Sequence, residues 1–85
     1  LKGFRLFPNP ATEFVNIEIN WQGEKAEALV QVVDATGKQV MANKVSMTKG
    51  TNREKLIVNN LAAGKYFVYL VNGDWKLNLN SFTKQ

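Results

Sequence analysis

Apolar and polar residues alternate with a period of two along most of this chain. The clearest run lies between Val15 and Trp21, where Val15, Ile17 and Ile19 alternate with asparagine and glutamate. Successive side chains of a β-strand point to opposite faces, so the alternation predicts a strand with one buried face. Similar short runs recur at intervals of about 8–12 residues, which is typical of all-β domains. We find no segment with the apolar stripe of a helix.

Turn signals separate these runs. The stretch Asp-Ala-Thr-Gly-Lys at 34–38 predicts a hairpin loop in which Asp34 accepts hydrogen bonds from backbone amides and Gly37 adopts a positive φ. Gly64 is expected to do the same in a turn that begins at Leu61. Pro8 and Pro10 lack an N–H group, so a first strand over 4–7 is predicted to end there at a corner.

We therefore predict an all-β fold, a seven-stranded antiparallel immunoglobulin-like β-sandwich, with residues 1–85 forming a single domain. A five-stranded oligonucleotide-binding barrel is an alternative, but it would leave two strands unused. The predicted core consists of Leu6, Val15, Ile17, Ile19, Val30, Val32, Leu56, Val58, Leu61, Tyr66, Val68, Leu70 and Leu77.

The composition argues against catalysis. The chain has no cysteine and no histidine, so it forms neither a Ser-His nor a Cys-His pair. Its seven carboxylates show no metal-loop spacing, and we expect no enzyme activity, no cofactor and no metal. The net charge of +4 comes from singly scattered lysines and arginines, which does not favour nucleic-acid binding. No apolar run approaches the roughly 20 residues of a transmembrane helix.

The strand around 65–71 is apolar on both faces. If Tyr66, Val68 and Leu70 face the core, then Phe67 and Tyr69 point outward and form a candidate partner surface. The alternative is a central strand that side chains of its neighbours partly cover. A likeness to the aromatic strand of an RNA-recognition motif would require two helices, which the pattern lacks.

Three motifs follow one another along the chain: Phe-Pro-Asn-Pro at 7–10, Val-Val-Asp-Ala-Thr-Gly-Lys at 32–38, and a leucine, glycine, tyrosine, valine and leucine spaced over 61–70. In this order the three phrases resemble the C-terminal sorting domain of type IX (Por) secretion cargo, type A. Each phrase is weak alone, but the ordered set is specific and spans nearly the whole chain. One departure is that the family's last strand often carries paired lysines, whereas asparagines separate Lys76 and Lys84 here. The residues that match the family's motifs are Phe7, Pro8, Asn9, Pro10, Asp34, Gly37, Lys38, Leu61, Gly64, Tyr66, Val68, Leu70 and Lys84.

The resemblance implies a secretion signal that carries N-terminal cargo through the periplasm of a Gram-negative bacterium and the type IX outer-membrane translocon. A sortase-like signal peptidase then removes the domain, and the cargo is anchored to anionic lipopolysaccharide or released at the cell surface. The terminal segment around Lys84 is expected to be presented to this machinery. The chain starts at Leu1 without a signal peptide, so we expect it to be cut from a larger protein. The alternative is a fibronectin type III-like or carbohydrate-binding module.

Overall fold

Two antiparallel sheets form the domain, as the alternation predicted. The computed structural model describes residues 3–85, which include no long apolar helix of the kind that crosses a membrane. Within these residues, seven strands follow one another along the chain: β1 (Gly3–Phe7), β2 (Phe14–Trp21), β3 (Ala26–Asp34), β4 (Gln39–Met47), β5 (Gly50–Ile57), β6 (Gly64–Asn72) and β7 (Trp75–Lys84).

The strand order is that of an immunoglobulin-like sandwich. One sheet has the order β1-β2-β5 and the other β4-β3-β6-β7. In immunoglobulin terms these are strands ABE and C′CFG, with the fourth strand paired to C. Hairpins join β1 to β2, β3 to β4 and β6 to β7, while the other connections pass from one sheet to the other.

The inner faces of both sheets meet in one apolar core. Ten of the thirteen predicted core residues are buried there, including the fully buried Val32 and Val68. Leu6 and Leu61 are half-buried and pack against this core. The prediction did not include six further buried apolar residues, which are Ala11, Ala28, Val33, Met47, Leu79 and Phe82.

The prediction that Leu77 is a core residue is wrong, because 36% of its surface is exposed. A register shift in the β6–β7 pair pairs Val68 with Asn80 and Tyr69 with Asn78, which leaves Leu79 as an extra, bulged residue. Leu79 is buried. Leu77 pairs with Leu70 ahead of the bulge and stays open to solvent, because it lies near the start of the edge strand.

Candidate functional site

The corner between β1 and β2 is fastened to the end of the last strand. It consists of Pro8, Asn9 and Pro10, all of which are exposed, and both peptide bonds that precede the prolines are cis. The Oδ1 atom of Asn9 accepts a hydrogen bond of 3.0 Å from the backbone N–H of Thr83 on β7. The outer side of an edge strand has backbone N–H groups without a partner in its own sheet, and here the Asn9 side chain supplies the acceptor for one of them.

Ala11 extends this attachment with its backbone. Its N–H donates to the carbonyl of Thr83 at 2.8 Å, and its carbonyl accepts from the N–H of Gln85 at 2.9 Å. These two bonds form a parallel bridge between Ala11 and Lys84, and Ala11 is fully buried. Because the corner belongs to the three-stranded sheet and β7 to the four-stranded sheet, the attachment closes one side of the sandwich.

Lys84 does not present an exposed cation at the end of the chain. Only 8% of its surface is exposed, and its Nζ donates a hydrogen bond of 3.0 Å to the carbonyl of Gln85. Gly64 of β6 pairs with Lys84 on one side and Ala11 bridges to it on the other. The side chain of Lys84 is thus buried in the folded domain, and recognition of the terminal segment around it stays a prediction.

Tyr66 on β6 packs against the end of β7. Its ring stacks on Phe82 of β7 with 5.5 Å between ring centroids, and both residues are buried. Its hydroxyl donates a hydrogen bond of 2.6 Å to the backbone carbonyl of Ala62. This is the bond of a tyrosine corner, although the spacing of Leu61 and Tyr66 is one residue shorter than is usual.

The turn before β6 has the predicted geometry. Gly64 has a φ of +152°, which confirms the expected positive value. Leu61 donates its N–H to the carbonyl of Val58 at 3.0 Å and packs its half-buried side chain against the core. The other two motif residues of β6, Val68 and Leu70, are fully buried and serve the core.

Asp34 organises the β3–β4 hairpin loop. Its Oδ1 accepts hydrogen bonds from the hydroxyl and N–H of Thr36, at 2.6 and 2.9 Å, and from the N–H of Lys38, at 3.0 Å. The hydroxyl of Thr36 and then the N–H of Lys38 lower the pKa of Asp34 below its ordinary value. Gly37 has a φ of +90° and donates its N–H to the Asp34 carbonyl, so both predictions for this loop are confirmed.

The motifs meet at one end of the sandwich. The register pairs Asp34 with Tyr66 and Tyr66 with Phe82, so this row crosses three strands of one sheet. Lys84, two residues beyond Phe82, bridges to Ala11 of the corner. Segments that are far apart in the sequence thus converge around the end of β7.

Phe67 and Tyr69 lie on the outer side of the four-stranded sheet and are half-buried. The Nζ atom of Lys65 lies 5.6 Å from the ring centroid of Phe67, and that of Lys76 lies 4.3 Å from that of Tyr69. These cation–π contacts cover part of each ring. Their role as a partner surface stays a prediction.

The acidic side chains do not gather into a metal site, since residues 3–85 hold no cluster of three potential ligands. Glu18 lies between two arginines, with Arg53 Nε at 2.8 Å from Oε2 and Arg5 Nη1 at 3.6 Å from Oε1. This arrangement ties the three strands of the smaller sheet together across their outer face.

Sequence reasoning missed the contact between the corner and the last strand. Asn9 was identified as a motif residue, but not as the acceptor for Thr83, which lies 74 positions further along the chain. Ala11 was assigned only to the connection between β1 and β2, and Phe82 was not identified. The asparagine between two residues that lack N–H groups was the available signal, and it does not indicate which strand the side chain would meet.

A known protein family matches most of this chain. The family model described as "Secretion system C-terminal sorting domain" matches residues 5–81, which include the corner, the Asp34 loop and Tyr66. A search of curated proteins gave no match. The matched family is a family of sorting signals and not of enzymes. Its members mark secreted or cell-surface proteins, and the protein that carries such a domain is cargo of the type IX machinery. The chain belongs to this family of type IX secretion C-terminal sorting domains.

Proposed function

We propose that residues 1–85 are the carboxy-terminal module of a larger secreted protein and take the cargo in front of them through the type IX translocon. The route leads from the periplasm of a Gram-negative bacterium to its surface. There, a sortase-like signal peptidase removes the domain, and the cargo is joined to anionic lipopolysaccharide or released. The domain is a substrate of this machinery and catalyses no reaction itself.

The observation that carries this proposal is the convergence of the family's motif residues around the end of β7. Asn9, Gly64 and Tyr66 contact this strand, while the other motif residues fill the core or shape loops. None of them is arranged for proton transfer or nucleophilic attack. Asn9 and Ala11 attach the corner to β7, while Tyr66 stacks on the same strand. Motif residues used in this way favour a signal that is read as a folded shape.

The exposures indicate which part of that shape a receptor can reach. Pro8, Asn9 and Pro10 are exposed at the corner, whereas Lys84 is buried beside them. We therefore expect the export machinery to contact the corner and the surfaces around it. The charge of Lys84 becomes available only if the end of β7 detaches.

Processing at the cell surface tests the proposal. A folded reporter with a Sec signal peptide at its front and residues 1–85 at its back is expressed in a type IX-competent bacterium. Mass spectrometry of the surface reporter is expected to show that the 85-residue tail has been removed. In a strain without the sortase-like peptidase, the reporter is expected to keep the tail. A surface reporter that keeps its tail in the competent strain would contradict the processing step.

A further inference from the structure

The outer side of the four-stranded sheet carries an apolar strip on its two central strands. Five of its six residues are half-buried and Val33 is buried, while their sequence neighbours Val30 and Val68 lie fully in the core. Apolar strips of this kind on a surface usually mark a contact. We call this strip the β3–β6 face; it consists of Leu29, Gln31 and Val33 of β3, which pair with Val71, Tyr69 and Phe67 of β6.

Three lysines border the β3–β6 face. Lys44 on β4 pairs with Leu29, and Lys76 on β7 pairs with Val71. Lys65 belongs to β6 itself and lies over the ring of Phe67. Two acidic residues lie near these lysines in sequence or in the sheet: Glu27 at the start of β3 and Asp74 in the β6–β7 turn.

On the outer face of the smaller sheet, positive and negative charges are paired. Both ion pairs found within residues 3–85 involve Glu18, which lies between Arg5 and Arg53 on the smaller sheet. The lysines of the β3–β6 face have no such carboxylate between them. An unbalanced group of like charges beside an apolar strip attracts a surface of opposite charge.

The centre of the face also has an unpaired polar atom. Gln31 donates from Nε2 to Oε1 of Gln39 at 2.7 Å, but its own Oε1 is buried without a hydrogen-bond partner. Exchanging the amide oxygen and nitrogen would still leave one of them unpaired. The side chain as a whole is half-buried, so its amide lies close to the surface of the face. A depression of about 430 Å³ at one end is lined by Leu29, Lys44 and Val71 and also by Glu27.

We propose that the β3–β6 face docks an acidic protein surface, whose carboxylates meet the three lysines and whose polar groups meet the amide of Gln31. A protein fits better than an anionic membrane for two reasons. The most exposed large apolar residues, Ile57, Trp75 and Leu77, are not part of this face. A peptide group also supplies both a donor and an acceptor for the amide. The inference rests on the proposed function in placing this partner in the export machinery.

A nuclear magnetic resonance titration of the 85-residue chain tests the docking. The probe is a short peptide of alternating glutamate and threonine, and its control replaces every glutamate by glutamine. We expect the glutamate peptide to shift the amide signals of 29–33 and 65–71 in a saturable way. The shifts should vanish at 1 M salt, where the Debye length falls to about 3 Å. Equal shifts with the glutamine peptide, or shifts confined to the smaller sheet, would overturn the proposal.

Two matched triple variants separate a local site from net charge. Changing the three bordering lysines, Lys44, Lys65 and Lys76, to glutamine should weaken peptide binding by about tenfold, the scale of three exposed ion pairs lost together. The control variant changes Lys25, Lys49 and Lys55, which lie outside the face, to glutamine. Both triple variants therefore have the same net charge. Equal weakening by both variants would refute a specific face.

Two further arms identify the partner. If the chain binds phosphatidylglycerol vesicles but not the glutamate peptide, the partner of the β3–β6 face is an anionic membrane, and the proposal of an acidic protein is wrong. In cells, the bordering-lysine variant fused to a reporter should be exported less than the control variant. Equal export of the two variants would show that the partner is not part of the export machinery, and it would not contradict the sorting function. Failure of the unchanged chain to direct export would instead contradict the sorting function.

Discussion

Replacing Asn9 by alanine removes the hydrogen bond that joins the corner to the last strand. The bond runs from the N–H of Thr83 to Oδ1 of Asn9 at 3.0 Å, in an exposed position. A hydrogen bond of this kind contributes about 0.5–1.5 kcal/mol to the free energy of unfolding. In a domain of this size, each 1 kcal/mol moves the Tm by about 4–8 °C, so we expect Asn9→Ala to lower the Tm by about 2–12 °C.

Circular dichroism melts measure this loss, and hydrogen exchange locates it. The amide of Thr83 should exchange faster in Asn9→Ala, while amides of the central strand β3 should change only as far as the global stability does. Asn9→Asp keeps an acceptor at the same position and should retain both the Tm and the slow exchange. Asn60→Ala, at an exposed position in the turn before β6, is the matched control.

The reasoning is refuted if Asn9→Ala melts at the wild-type temperature with Thr83 exchange unchanged. It also fails if Asn60→Ala costs as much as Asn9→Ala. In either case the attachment of the corner would contribute nothing specific to the stability of the terminal strand.

Three more substitutions probe the core and the two loops. Val32→Asp places an unpaired charge at a fully buried position and should abolish the cooperative melt, since the cost is several kcal/mol; an unchanged melt would remove Val32 from the core. Gly64→Val forces a β-branched residue to a φ of +152° and should cost about 1–3 kcal/mol, measured by urea unfolding; wild-type stability would contradict this turn geometry. Asp34 has a lowered pKa in the folded state, so its contribution to stability is complete above the ordinary value of 3.8 and is lost as the pH falls through the folded-state pKa. The Tm difference between wild type and Asp34→Asn should therefore be present at neutral pH and close in acid, whereas a constant difference would argue against this linkage.

The alternation of the sequence predicted the fold because strand burial is a local property. A period of two in Val15, Ile17 and Ile19 determines which face of β2 is buried, whatever its partners are. Loop chemistry was equally local, as the hydrogen bonds of Asp34 and the positive φ of Gly37 are made within five residues. The family's spacing added the function, which no single residue indicates.

The errors arose where distant segments meet. Leu77 was assigned to the core because it continues the alternation of β7, but it lies near the start of an edge strand and is exposed. The bulge at Leu79 shifts the alternation beyond it, which buries Phe82. Lys84 was identified only as a basic residue of the family's terminal segment, and its burial was not predicted. Its burial depends on Ala11, and no local pattern predicts a parallel bridge between the corner and the last strand.

Delivery of a passenger protein tests the central claim, that this folded domain is a sorting signal, most directly. Three fusions of a Sec-exported reporter are compared: one with residues 1–85, one that ends before Trp75 and so lacks β7, and one without the domain. Surface protease accessibility of the reporter on intact cells is measured in a type IX-competent strain and in a strain without the translocon.

We expect the reporter to reach the surface only with residues 1–85 and only in the competent strain. The fusion without β7 should stay in the periplasm, because its loss removes Phe82, Lys84 and the partner of the corner. Surface delivery of the reporter without the domain, or retention of the full fusion in the periplasm of the competent strain, would contradict the assignment.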